Sequence, residues 1–243
     1  DIEGNELMPS ASVGARIGLG ARLVWEAVDA IRAVPRPSRK EGRVHACLVG
    51  FAKRDNLEYR KDAIGNVVIC KPATPGFEER PTVVLQSHMD MVCEKNSDVE
   101  FDFEKDAIRP YIDGEWVKAE GTTLGADCGI GMAAALAVLI DPAVEHGPVE
   151  ALFTVDEETG LTGAFELGEG MLTGKYLVNL DSEDEGELFI GCDGGIHTTA
   201  EVHYHTEEAP RNYPPFPINH PDLPGRPSGS HPHAGPGDSI QHV

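Results

Sequence analysis

Val83-Val84-Leu85-Gln86-Ser87-His88, Ala151-Leu152-Phe153-Thr154-Val155-Asp156-Glu157-Glu158 and Tyr176-Leu177-Val178-Asn179-Leu180-Asp181 are the stretches whose reading decides the fold. Each is a short apolar run that stops on a residue able to ligate a metal. Runs of this length, rich in β-formers and bounded by polar residues, read as buried strands. In open α/β sheets the chemistry gathers beyond the carboxyl ends of the strands. Three such ends are therefore expected at one crevice.

Outward from these strands, Leu23, Val24, Val28 and Ile31, preceded by Leu19, recur at helical spacing until Pro35 and Pro37 stop the pattern. Ser38-Arg39-Lys40-Glu41 has the form of a capping box ahead of a second amphipathic helix carrying Val44, Leu48 and Phe51. Gly65-Asn66 and Asp113-Gly114 punctuate two expected hairpins. Ile130 to Ile140 is small and apolar on all sides, which predicts a helix buried around most of its circumference. The fold class that follows is α/β: a twisted mixed sheet with helices on both faces over residues 19–205. Residues 1–18 are expected as a flexible segment. In 206–243 nine of the 18 prolines crowd into an irregular Pro/His-rich tail without helical or strand period.

With 20 Lys and Arg against 41 Asp and Glu, the formal net charge of -21 repels phosphate backbones and anionic lipid. Nucleic acid and membrane are thus excluded as partners, whereas divalent cations suit the field. The loop Gly121-Thr122-Thr123-Leu124-Gly125-Ala126-Asp127 lacks the glycine order of a dinucleotide site. Five cysteines, at 47, 70, 93, 128 and 192, form no C-x-x-C pair and are odd in number, which points to a reducing cytoplasm. No apolar stretch approaches a membrane span. The start at Asp1, without Met or a basic region, is expected to lie inside a longer gene product.

His88 and Asp90, two apart in extended chain, share a face, so the carboxylate orients the imidazole for a divalent metal. Asp127 sits at the amino end of the buried helix, where the dipole keeps a carboxylate ionised. Glu157 and Glu158 are adjacent, an arrangement that favours a division of labour between a metal ligand and a general base. Asp181 closes the set. Taken singly, each is also what a solvated strand exit or acidic turn looks like; their shared position at element ends sets them apart. One histidine with several carboxylates suits zinc, manganese or cobalt.

Ser87-His88-Met89-Asp90-Met91-Val92, Gly121 to Asp127, Asp156-Glu157-Glu158-Thr159-Gly160 and Asn179-Leu180-Asp181-Ser182-Glu183 resemble the aminoacyl-histidine dipeptidases, cytosolic di-metal dipeptidases related to carnosinase and peptidase T. The likeness runs from about Leu19 to Tyr204. It implies that His88 and Asp181 bind the first of two divalent ions, Glu158 the second, and Asp127 both. It makes Glu157 the general base, Asp90 the carboxylate behind His88, and the peptide bond after Asp127 cis. The implied substrate is a free dipeptide, Xaa-His or broader. Cys128 stands where the family usually has Asn.

Family members are about twice this length, with a lid or dimerisation domain inserted and the second metal's histidine supplied after it. Full-length members are expected as homodimers and this chain as a monomer lacking that histidine. Gly225-Arg226-Pro227-Ser228-Gly229 stands where the family has Gly-Gly-His-Ser-Gly, so residues 206–243 resemble a degraded start of the lid domain. The competing expectation is accordingly a catalytically inactive, truncated remnant that retains metal ligands.

Overall fold

The computed structural model describes residues 21–182, 186–192, 199–203 and 205 of the chain. The chain divides into two compact units, Asp1–Glu183 and Asp184–Val243. Every helix and strand among the described residues belongs to the first; the described residues of the second form neither. The expected flexible segment before residue 19, Leu19 itself, and the expected lid remnant at 206–243 lie outside the described residues.

Helix α1 (Arg22–Arg32) buries Ala27, Ala30 and Ile31 and ends ahead of Pro35, as its periodicity predicts. Helix α2 (Gly42–Arg54) buries Val44, Leu48, Phe51 and Ala52. Its expected capping box does not form, because neither the Ser38 nor the Glu41 side chain bonds to the helix terminus. Ser38 Oγ donates to Asp90 at 2.7 Å, and Glu41 Oε1 accepts from the backbone N–H of Asp156 at 2.9 Å. Both side chains find charge-assisted partners across the fold, which outcompete a helix terminus with access to water.

Strands β1 (Glu58–Lys61) and β2 (Val67–Lys71) form the first hairpin, antiparallel, with Tyr59 opposite Ile69. Its turn is held by Asp62, whose carboxylate accepts from Gly65 N, Asn66 N and Asn66 Nδ2. Strand β3 (Val83–His88) follows, then the separate hairpin of β4 (Pro110–Asp113) and β5 (Trp116–Ala119) around Gly114. Helix α3 (Ala126–Ile140) is the small, apolar helix, and Met132, Ala133, Ala135, Leu136 and Leu139 are buried along it. Strand β6 (Val149–Thr154), the short helix α4 (Thr162–Phe165) and strand β7 (Tyr176–Asn179) complete the unit.

The main sheet runs β1-β2-β6-β3-β7. It is mixed: β1, β2 and β6 are antiparallel neighbours, while β6, β3 and β7 run parallel. Parallel direction is what matters for function, since it brings the carboxyl ends of β6, β3 and β7 to one rim. All six β6 residues are buried. Alternate residues face opposite sides of the sheet. Val149, Ala151 and Phe153 pack in one cluster with Val67 and Ile69 of β2 and with α1, α2 and α3. On the other face Val68, Val84 and Leu152 pack with Met171, Leu167 and Leu172 of the segment after α4.

Glu150 also points to that second face and is 2% exposed. Its carboxylate accepts from Arg60 Nη2 at 2.6 Å, Thr173 N and Oγ1, and Gly174 N. A buried carboxylate with this many donors ties the loop before β7 to the sheet centre. Strand β7 differs from its expected burial: all four residues are exposed, including Tyr176, Leu177 and Val178. It lies at the sheet edge and pairs with β3 alone among the described residues.

Phe153, fully buried in the central strand, offers a direct check on this core. Phe153→Ala is expected to cost about 3–5 kcal/mol through lost burial and an unfilled cavity. Chemical denaturation would read this as a lower midpoint at unchanged slope.

Candidate metal centre

Three loops leave the rim where β3, β6 and β7 end, and a fourth segment enters α3 beside them. His88 is the last residue of β3 and is 1% exposed. Met89 N donates to Thr154 O at 2.7 Å, which carries the pairing with β6 one residue further, and the Met89 side chain is wholly buried. His88 and Asp90 thus point the same way, and His88 Nδ1 donates to Asp90 Oδ1 at 3.2 Å. Asp90 accepts three further bonds, from Ser38 Oγ at 2.7 Å, Glu157 N at 3.0 Å and Glu158 N at 3.2 Å. One carboxylate therefore fixes both the imidazole and the turn that carries the two glutamates.

That turn begins where β6 ends. Val155 N donates to Asn66 Oδ1, and Asp156 adopts a left-handed φ of 50° that swings the chain across the rim. Asp tolerates this region better than most residues because its short side chain can bond locally. Here Asp156 accepts from Thr159 Oγ1 and Thr162 Oγ1, each at 2.6 Å, and from Arg39 Nε at 3.3 Å. Glu41, Asp90 and Asp156 form a buried acidic group whose oxygens lie close together. Donors from the protein already engage those carboxylates, so the group is a scaffold for the turn and not a second cation site.

Asp127 enters from α3, where Gly125 has φ 69° and the Asp127–Cys128 peptide bond is cis. Its Oδ1 lies 2.9 Å from His88 Nε2. Asp181 follows β7, with Leu180 N donating to Gln86 O and Asp181 N to Asn179 Oδ1. Asp181 Oδ1 is 3.6 Å and Glu157 Oε2 3.9 Å from the same nitrogen. Atoms of His88, Glu157 and Glu158 all lie within 4.8 Å of one another, as do those of His88, Cys128 and Asp181. All six residues singled out in the sequence, His88, Asp90, Asp127, Glu157, Glu158 and Asp181, meet around one imidazole.

The electrostatics are those of an anionic cluster short of positive charge. Burial by itself would lower the His88 pKa, but hydrogen bonds to Asp127, Asp181 and Asp90 outweigh it and raise it to about 12. Burial would likewise raise Asp90, yet donation from His88, Ser38 and the Glu157 N–H brings it down to about 2. Asp127 is lowered chiefly by its bond to His88. Glu157 is raised by burial, with the charges of Asp181, Asp90 and Asp127 adding to it. Glu158 is raised to about 7 by burial and then by Asp127. Cys128, buried and beside Asp181, is pushed up to about 12, so its thiol is neutral.

Carboxylates around His88 hold its proton, and they add to the burial that suppresses ionisation of Glu157 and Glu158, so the cluster carries an excess of negative charge. Divalent cations would relieve it, so the residues fit a metal centre. His88, Asp127, Glu158 and Asp181 supply nitrogen and oxygen donors of the kind zinc, manganese or cobalt accept. A cavity of about 620 Å³ lies elsewhere, between α1, the β4–β5 hairpin and the start of α3. None of the six side chains lines it.

Sequence reasoning missed the supporting residues Arg36, Ser38, Arg39 and Glu41. The sole signal was the Ser-x-x-Glu spacing, read there as a helix cap. Local spacing says nothing of partners far along the chain.

The model of peptidase family M20/M25/M40 matches residues 84–224, a stretch that contains all six residues. The cytosol non-specific dipeptidase of Escherichia coli (strain K12) is 48% identical over 221 residues, covering 91% of this chain and 46% of that relative. The crystal structure of aminoacylhistidine dipeptidase from Vibrio alginolyticus superposes with a TM-score of 0.70 at 49% identity, over 77% of this chain and 36% of that one. Aminopeptidase PepT from Bacillus cereus does so at 0.56 and 26%, over 67% and 44%. The chain spans less than half the length of each of these relatives. With its family-matching stretch running from within β3 past the acidic rim, this chain belongs to peptidase family M20/M25/M40.

Proposed function

We propose that this chain carries the metal-binding and proton-transfer residues of a metal-dependent dipeptidase acting on free dipeptides, Xaa-His or broader. The observation that supports this most is the convergence on His88 Nε2 of carboxylates from three separate elements, Asp127, Asp181 and Glu157, between 2.9 and 3.9 Å away. In this reading His88 and Asp181 would hold one cation and Glu158 a second, with Asp127 available to both. Two divalent cations so held would polarise the scissile carbonyl and acidify a water.

Glu157 is the general base. Its carboxylate stands at the rim, and its raised pKa suits a group that takes a proton from the attacking water and returns it to the leaving amine. Asp90 keeps the His88 ring turned with Nε2 toward the centre, and by holding Glu157 N and Glu158 N it sets where both glutamates stand. A cytoplasmic setting belongs to the same reading. It is supported by the cytosolic name of the E. coli relative and by five cysteines that are all free. No helix among the described residues is long and apolar enough to cross a membrane.

The test is metal content and dipeptide turnover measured on the same preparation. His88→Ala is expected to abolish stoichiometric divalent-metal binding. Glu157→Gln is expected to keep the metal and lose turnover by about 10²-fold or more. A chain that takes up no zinc, manganese or cobalt would sink the proposal. Metal uptake without hydrolysis of any dipeptide would leave a metal-binding remnant in its place.

Protons provide a second check. His88 and Glu158 must give up protons that they hold in the metal-free chain. Zinc binding is therefore expected to release protons, and apparent affinity to rise with pH through about 7, where Glu158 titrates, and on toward about 12, where His88 does. Calorimetry in two buffers of different ionisation enthalpy reads both.

Stability of the metal-free chain carries the matching sign. The folded pKa of Glu158, about 7, lies above its usual value of 4.5, so the folded chain holds this proton more tightly than the unfolded one. The Glu158 contribution is therefore lost as pH rises from about 4.5 to about 7. Glu158→Gln is expected to flatten the thermal midpoint over that window.

A further inference from the structure

Arg36 lies between Pro35 and Pro37, outside the six acidic and imidazole residues, yet it is 2% exposed and sits directly beneath them. Its Nη1 donates to Met89 O at 3.1 Å and to Asp90 O at 2.6 Å, and its Nη2 donates to Gly125 O. The first two carbonyls belong to the loop that leaves β3 with His88 and Asp90. The third belongs to the loop that enters α3 with Asp127. Arg36 also accepts from Met91 N through its own carbonyl, which stitches its segment to the β3 exit.

Two glycines make room for the guanidinium. A Cβ at Gly125 would stand 2.6 Å from Arg36 Nη2, and one at Gly129, a helical turn later, 2.8 Å from the same atom. Neither distance admits a side chain without displacing the guanidinium, so the α3 entrance is shaped around it. Burial lowers the Arg36 pKa to about 10, with Cys128, Asp90 and Asp127 opposing, so the group is a cation at neutral pH.

We propose that Arg36 is a positioning residue for the metal centre, its planar guanidinium setting the separation between His88 at the end of β3 and Asp127 at the start of α3. This rests on the reading of those residues as metal ligands. The two ligands come from elements whose loops pair only further out, at the Lys95–Thr122 bridge, and their distance governs whether both reach one cation. A rigid fork with donors in fixed directions holds two backbones at a set spacing, which a single ammonium on a flexible stem cannot do. Supporting contacts of this kind tune affinity by about 10- to 100-fold where they orient metal ligands.

The experiment compares cobalt(II) binding by wild type, Arg36→Lys and Gly129→Ala, using a competing chelator for affinity and the visible absorption of bound cobalt for ligand geometry. Circular dichroism and metal-free thermal midpoints monitor folding. Arg36→Lys, folded, is expected to bind cobalt about tenfold or more weakly and with an altered spectrum. Gly129→Ala improves helix propensity but pushes on the guanidinium, so it is expected to shift affinity and spectrum in the same sense by less.

A folded Arg36→Lys with wild-type affinity and spectrum overturns the inference. If Arg36→Lys fails to fold, Gly129→Ala decides, and wild-type cobalt binding there overturns it equally. A wild-type chain that binds no cobalt, zinc or manganese removes the metal-centre reading itself, an outcome distinct from variants that bind as wild type does.

Discussion

Asp90 accepts hydrogen bonds from the ring of His88, the hydroxyl of Ser38 and the backbone N–H groups of Glu157 and Glu158. Through these it binds together the ends of β3 and β6 and the segment ahead of α2. Its carboxylate is fully buried, and so many donors are what allow a charge to remain there. Remove it, and the imidazole loses its orientation while the two glutamates lose the anchor of their turn. The candidate centre depends on this one side chain more than on any single ligand.

Around it the carboxylates divide into those held by backbone and hydroxyl donors and those gathered on the His88 imidazole. Glu41, Asp90, Asp156 and Glu150 are buried carboxylates with donors from backbone and hydroxyls. They behave as structure. Asp127, Glu157, Glu158 and Asp181 converge on one another and on His88. Crowded carboxylates that repel each other are held together by the fold, and such an arrangement is poised to receive cations. The same contrast separates the acidic triplet that acts as scaffold from the candidate site beside it.

The strands of the sheet were legible because run length, β-forming content and polar boundaries are local properties. Val149, Ala151 and Phe153 face one cluster and Leu152 the other, as a period of two requires. The two hairpin turns and the all-apolar α3 were equally readable. The Ser38–Glu41 spacing misled, since the two side chains that would cap a helix in isolation are drawn to Asp90 and Asp156 instead. Strand β7 misled as well. Its apolar run implies burial, but an edge position leaves Tyr176, Leu177 and Val178 exposed among the described residues.

The sequence by itself determined which residues end the apolar runs and what chemistry they carry: one imidazole, several carboxylates, and a helix mouth that presents Asp127. Tertiary structure alone decided that β6, β3 and β7 run parallel side by side, so that their ends share a rim. It alone supplied Arg36, Ser38 and Glu41 as supports. The reason is physical. Burial period is written in neighbouring residues, whereas the partner of a buried donor is fixed only when distant segments pack and must satisfy one another's polar groups away from water.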